Sequence, residues 1–577
     1  MIPPSLWTAF RPPHSLRHMH TVSVGRSHFA VVLAVALLAG CQGSERTGGG
    51  GTVIIGTAQD PHTLFPPNAD NIQARAVTEL IFQRLADLGP RLSTIGDAGF
   101  VPRLAQRWEW SPDSLSVTFH LDPHSRWEDS VPVTARDVQF AFAVYADPVV
   151  GARQRGDLLE VLDSISVVDS LTCIAWFRQR SPEQFYTLVT GLTPLPAHLL
   201  GTVPHDSLST HAFARAPIGN GPFHLVRWEQ QIRLELAPSR TYAGPRPVLD
   251  RVIWTFAPDP TPLIKQFMAG ESDVLEGLPV DAAKVAETQP ELRVVRLATY
   301  GYNFLQFNLH EGASERPHPL FADRTMRRAL TMALDRELLV RSVFDTLGRV
   351  GLGPFVRAQW SADTTIGQLA FDRTAAARIL DSLGWRAGAD GMRSRAGRPL
   401  VFHVLVPTSS RPRVALAVLI QEQLRQTGVQ VVIDQADNNA MTERVKTHAF
   451  DAVMSGLGAT PSPSGIRQTW TSAAAKDGGF NYGRYEDRAF DADVDRALTA
   501  PTQTLAKAHY RAAYQRIVDD APAIWLYEPP TLLGANARVQ LGTVRPDAWW
   551  TGLPTWTIAP GKRLLRDAVT RTPTTSP

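Results

Sequence analysis

Apolar and polar positions change period along this chain, and the changes mark out its elements. Thr52-Val-Ile-Ile-Gly56 is a short apolar run closed by glycine, which predicts a strand. Leu115, Val117, Phe119 and Leu121 alternate with polar residues, the period of a half-buried strand over 115–121. Thr134 then opens a helix. Asp137 stands three residues on, where its carboxylate can reach the Thr134 N–H in a capping-box-like pair. Val138, Ala141, Phe142 and Tyr145 fall on one face of that helix. After residue 320 the units are clearest. Asp323 caps a helix with Met326, Leu330, Ala333 and Leu334 on one stripe. Asp372 caps another over 374–383, and Gly384 supplies its left-handed stop. A strand at 401–406, a helix at 413–427 ended by Gly428, and the alternating Val429, Val431 and Ile433 make a βαβ unit, which builds a parallel sheet. A further strand is expected at 450–454. The body therefore reads as α/β.

Phe29 to Gly40 reads FAVVLAVALLAG, twelve apolar or small residues. A membrane span needs about 20. The run follows basic residues, the layout of a secretory signal peptide, so residues 1–40 are read as an address and not as structure. Leu38-Ala39-Gly40-Cys41 resembles the bacterial lipobox, in which the cysteine is lipidated and becomes the first mature residue. The alternative is a cleaved signal with an incidental cysteine, and translation from Met1 or from Met19 stays open. Residues 41–51 are rich in Gly and Ser and read as a flexible tether. A lipid, a tether and a folded body imply a protein held at the membrane by its lipid alone, in the periplasm or at the cell surface.

The formal charge of +3 changes little, because Arg11, Arg17 and Arg26 of the leader account for it. The remaining body is neutral, which argues against a nucleic-acid partner. Two cysteines exclude a disulfide scaffold and a four-cysteine zinc site. No Gly-x-Ser-x-Gly elbow, His-Glu-x-x-His pair, Walker loop or Cys-x-x-Cys is present, so no catalytic residue, no cofactor and no metal centre is expected. His62, His120 and His224 are isolated, and Cys173 reads as a small buried apolar residue.

The segment 102–138 carries Pro102, Leu104, Ala105, Trp108, Glu109, Phe119, His120, Leu121, Trp127, Pro132, Val133, Thr134, Ala135, Asp137 and Val138. In this order it resembles the hallmark segment of the bacterial extracellular solute-binding proteins of family 5, the oligopeptide-, dipeptide- and nickel-binding components of ABC importers. Pro194 to Leu200, Pro217 to Phe223, Tyr242 to Asp250, Gly270-Glu-Ser-Asp273, Phe304 to Asn308 and Met326 to Arg336 follow in family order. The resemblance implies a two-lobe periplasmic-binding-protein-like fold with an extra subdomain in the first lobe and a two-strand hinge. Lobe one is then expected from 52–95, 216–297 and 522–560, the extra subdomain from 96–215, lobe two from 298–521, and a tail from 561–577. It also implies a monomer that captures a peptide or another small solute between the lobes and hands it to ABC permease subunits.

The same resemblance locates the ligand contacts. Family peptide binders place an amine-pairing Asp after an apolar strand. Here that stretch is Ser455 to Pro463, with Leu457 where Trp is usual and Thr460 or Ala459 where the Asp is expected. A buried amine without a counter-charge is costly. Either another acid such as Asp60 or Asp437 serves, or the ligand lacks that amine, as an oligosaccharide, a metal chelate or haem would. The implied cleft residues are Gln59, Asp60, Tyr302, Asn303, Leu457, Thr460, Trp470, Asn481, Trp525 and Tyr527. For each aromatic the competing expectation is plain core packing.

Overall fold

The computed structural model describes residues 50–476 and 479–567. The expected leader 1–40, Cys41 with most of the tether, and the end of the tail lie outside the described residues. From Gly50 onward the chain forms one compact unit.

Two sheets organise it. The first has seven strands in the order Leu292–Leu297, Thr531–Asn536, Val274–Glu276, Thr52–Thr57, Arg251–Phe256, Arg233–Pro238 and Phe223–Glu229. Its centre is parallel, Thr52–Thr57 lying along both Arg251–Phe256 and Val274–Glu276. The second has six strands in the order Arg349–Val350, Ala523–Glu528, Gly301–Phe307, Ala452–Gly458, Val401–Pro407 and Gln430–Ala436. The expected βαβ unit is its parallel half. The helix between its strands is Arg411–Arg425, starting two residues early because Pro412 fits the first turn. The strand expected at 450–454 is Ala452–Gly458, so Ser455 to Gly458 are strand and not loop. Residues 96–215 hold a four-stranded antiparallel sheet built on Ala105–Trp110, Ser116–Leu121, Leu162–Val167 and Thr172–Phe177.

The chain crosses between the two large sheets twice. Leu292–Leu297 pairs antiparallel with Thr531–Asn536 in the first sheet, and Gly301–Phe307 pairs antiparallel with Ala523–Glu528 in the second. The crossings are residues 298–300 and the dipeptide Pro529-Pro530. Proline has no N–H for a ladder and a fixed φ, so the second ladder must break there. This corrects one expected boundary: Ala523–Glu528 was assigned to the segment 522–560 of lobe one, but its hydrogen bonds place it in the second sheet.

The residues that carried the family resemblance turn out to be braces. The Asp137 carboxylate accepts from Thr134 N at 2.7 Å, from Ala197 N at 2.8 Å and from Trp127 Nε1 at 3.4 Å, tying three motifs together. Gly219 and Gly221 sit where a Cβ would collide with the Ile81 carbonyl. Arg336 donates to the carbonyls of Trp525 and Leu369. Asp273 accepts from Ile54 N at 2.9 Å and from Arg538 Nε at 2.5 Å, and Arg538 Nη1 reaches Asp567 at 2.8 Å. Asp567 in turn accepts from Thr52 N at 2.8 Å, so one buried arginine locks the C-terminal segment onto the first strand.

Removing one partner of a buried ion pair strands the other charge. Arg538→Ala is expected to lower stability by about 3–5 kcal/mol in chemical denaturation, and a loss under about 1 kcal/mol would refute the locking role.

Candidate functional site

The parallel strands of both sheets end toward the junction, where open α/β sheets place their ligand sites. On the first sheet Thr57 closes one strand and Glu276 closes its neighbour. Glu276 Oε2 accepts from Thr57 Oγ1 at 2.8 Å and from Gln73 Nε2 at 3.0 Å, and Oε1 accepts from Trp549 Nε1 at 3.0 Å. All three donors are neutral side chains.

On the second sheet the matching group is Arg413, in the first turn of Arg411–Arg425. Its Nε and Nη2 both donate to Asn303 Oδ1, at 3.0 and 2.8 Å, and its guanidinium lies beside the Tyr527 phenol. No carboxylate among the described residues pairs with it. Gly456 makes the arrangement possible, because a Cβ there would collide with Arg413 Nη2 and Asn303 Oδ1. A half-buried guanidinium held by neutral oxygens has unused capacity for an anionic group.

Between these two, at the first crossing, Tyr300 stands among Tyr186, Asp547 and Arg545. Burial, then the Asp547 charge, holds the Tyr300 phenol well above its ordinary range. Burial likewise pushes Tyr186 up to about 12, while a hydrogen bond with Thr460 opposes the rise. Asp547 is spoken for: Arg545 grips both its oxygens at 3.1 and 2.6 Å. A cavity of about 500 Å³ runs along both crossings and is lined by Arg349, Arg357, Glu528 and Pro529-Pro530 among others. It leaves room for the crossings to bend. A second cavity, of about 230 Å³, lies wholly among residues 66–245 and 551–555 and touches no residue of the second sheet.

The implied site residues divide into three groups. Asn303 and Tyr527 gather round Arg413, Thr460 bonds Tyr186, and Leu457 pairs with Tyr302 and packs on the core behind the sheet. Gln59 is exposed just past the first strand. Asp60 is held by neutral donors, as Glu276 is: its carboxylate accepts from Trp228 Nε1 and Gln231 N, each at 2.9 Å. Asp437 is consumed as a helix cap. Tyr302, Trp470 and Trp525 belong to the core behind the second sheet, packed on Phe304. Trp470 Nε1 donates to the Tyr302 hydroxyl at 2.9 Å, and burial pushes that phenol up to about 12. Asn481 braces its own loop through the Thr471 and Tyr485 carbonyls. For these four the structure favours packing over ligand contact, because period-2 alternation turns Tyr302 and Trp525 to the face opposite Leu305 and Ile524. Sequence reasoning passed over Arg413, Gly456 and Glu276. The Arg-Pro-Arg at a helix start was the one available signal for the first. Among the described residues no group of three His, Cys, Asp or Glu could hold a metal ion, and no helix is long and apolar enough to cross a membrane.

A family model described as "Bacterial extracellular solute-binding proteins, family 5 Middle" matches residues 99–478. The chain is 25% identical over 545 residues to the oligopeptide-binding protein AppA of Bacillus subtilis (strain 168), a match spanning 90% of this chain and 97% of that protein. It is 24% identical to the probable D,D-dipeptide-binding periplasmic protein DdpA of Escherichia coli (strain K12), over 85% of this chain and 90% of that one. The fold matches the solved structure of Bacillus subtilis AppA in complex with a nonapeptide at a TM-score of 0.74 and 24% identity, covering 89% of this chain and 99% of that chain. It matches NikZ from Campylobacter jejuni in complex with Ni(L-His) at the same TM-score and 22% identity, covering 88% and 99%. The structural likenesses establish a two-lobe periplasmic-binding-protein-like fold.

If Gly456 is small because Arg413 and Asn303 lie over it, Gly456→Ala is expected to displace the guanidinium and cost about 1–3 kcal/mol of stability. Unchanged melting with an unmoved Arg413 in a crystal structure would contradict that reading.

Proposed function

The chain belongs to the bacterial extracellular solute-binding proteins of family 5, and from that premise we propose that it captures a peptide-like solute between two lobes and delivers it to an ABC-type permease. The single observation that carries this reading is Arg413, a guanidinium at the strand ends with no counter-ion among the described residues. A ligand carboxylate fits it, in the bidentate or forked manner that arginine favours. Glu276, held by neutral donors across the junction, supports a cationic or amine group at the other end of the ligand. That assignment answers the missing acid near Thr460: the charge complement comes from the first sheet rather than from Ser455 to Pro463. Main-chain groups of Gly458 to Thr460 serve the ligand backbone, as an extended peptide requires.

In this reading one lobe is formed by residues 52–297 and 529–560, with 96–215 as its added subdomain, and the other by residues 298–528. The lobes close by bending at 298–300 and 529–530, and closure removes ligand from water. The mature chain works as a monomer, outside the cytoplasm, tethered through a lipid on Cys41. Binding and release are its whole chemistry, with no turnover of the solute.

Native mass spectrometry of the chain lacking residues 1–41, purified gently from cells, tests the reading. A ladder of masses matching short peptides is expected. A single non-peptide mass, such as a sugar or a metal chelate, would overturn the ligand class while leaving the family intact. Arg413→Ala is expected to weaken the bound peptides by about 10- to 100-fold, the worth of a hydrogen bond to a charged group. Cys41→Ser is expected to move the full chain from the membrane fraction to the soluble fraction, and retention at the membrane would refute the lipid anchor.

A further inference from the structure

Glu183 lies on the seam between the added subdomain and the second lobe, and it is 7% exposed. It precedes the helix Gln184–Gly191 but does not cap it. Its carboxyl group turns outward to the other lobe. Oε2 lies 2.5 Å from Ser462 Oγ, and Oε1 accepts from Trp360 Nε1 at 3.2 Å and from the Thr94 hydroxyl. Trp360 and Ser462 belong to the second lobe, while Thr94 belongs to the first. Ser462 also sits 2.8 Å from Ser464 Oγ. It ends the stretch that replaces the family's acidic segment.

Among the described residues no cation bonds this carboxyl. Its neighbours from the packed elements are phenols: Tyr186 on its own helix, and Tyr510 and Tyr514 on Gln503–Asp520. Arg467 is paired with Glu160 and with Asp495. An unpaired buried carboxylate is costly, and such a group takes a proton instead. A neutral carboxyl fits the hydroxyl chain, with Glu183 O–H donating to Ser462 and Ser462 donating on to Ser464. Burial accordingly holds the group above its ordinary 4.5, and the Ser462, Thr94 and Trp360 hydrogen bonds only partly oppose this.

We propose that Glu183 is a positioning residue for capture: its carboxyl group is buried as the neutral acid only when the lobes close, so closure takes up a proton. This rests on the reading above that the lobes open and close on ligand. The direction follows from linkage. The closed form binds the proton more tightly than the open form, so closure is favoured at low pH. It weakens as pH rises from the ordinary carboxyl range through the raised closed-state value. One proton limits the effect to about tenfold in the closure equilibrium per pH unit. Asp157 is exposed on the same seam, accepting from Gln468 Nε2 at 3.0 Å, and partial desolvation there, then the nearby Glu160 charge, raises it. It adds in the same direction and must be varied separately.

Small-angle X-ray scattering of ligand-free chain from Gly50 onward, from roughly pH 5 to roughly pH 8, reads closure directly. The native chain is expected to expand as pH rises. Glu183→Gln, neutral at every pH, is expected to lose most of the expansion and keep only the share that Asp157 contributes, and Asp157→Asn is expected to keep most of it. Should Glu183→Gln fail to fold, Ser462→Ala probes the contact from the other lobe. It removes the acceptor of the carboxyl proton, so it should already be more expanded than the native chain near pH 5 and should expand less on going to pH 8. A Glu183→Gln profile that expands like the native one overturns the proposal and leaves lobe motion intact. Scattering that never changes, in any variant, overturns the proposal together with the reading it rests on.

Discussion

Between Leu297 and Gly301, and again between Glu528 and Thr531, the backbone leaves one sheet and enters the other. On each side of the gap the two crossing strands are hydrogen bonded to each other. Any relative motion of the proposed lobes would therefore fall on three residues of one strand and two prolines of the other, beside a cavity. The cleft, its charged walls and the seam that shuts it all inherit their geometry from this double crossing. Arg413 and Asn303 are placed by the second-lobe ladder, and Glu276 by the first-lobe strands.

Charge placement across the junction follows one rule. Acids that brace the scaffold are matched internally, as Asp273 is with Arg538 and Asp547 with Arg545. Three groups facing the junction are instead held in position by neutral partners. Arg413 rests on an amide oxygen, Glu276 on a hydroxyl, an amide and an indole, and Glu183 on two hydroxyls and an indole. Such groups are poised for a partner that arrives from solvent or from the opposite lobe. Their cost in stability is carried by the cores on both faces of each sheet.

This division also explains what could be read from the sequence. Thr134 with Asp137, Asp323, Asp372, Gly384 and Gly428 were legible because caps and stops act within a few residues. The motifs that matched a family were legible because they are braces whose chemistry fixes residue type: Gly219 against Ile81, Asp273 against Arg538, Arg336 on the Trp525 carbonyl. The site was much less so. Arg413 and Gly456 lie far apart in the chain, and Glu276 comes from the other sheet. Tyr302, Trp470 and Trp525 drew attention as aromatics, yet the strand's alternation turned them into a core. The boundary at residue 522 missed by one strand, because an all-apolar run shows that a strand is buried but not which sheet receives it.

Closure of the two lobes on a peptide-like ligand about the double crossing is what the proposed function requires. Electron–electron distance measurement between spin labels on the two lobes tests it most directly. Val226 in the first sheet is 52% exposed, and Val418 on the second lobe's helix is 51% exposed, so both accept a label. On addition of a mixture of short synthetic peptides, the account predicts that the broad ligand-free distance distribution narrows to one shifted population. A distribution unmoved while peptide is demonstrably bound would show that the lobes do not close, and the account would fail at its base.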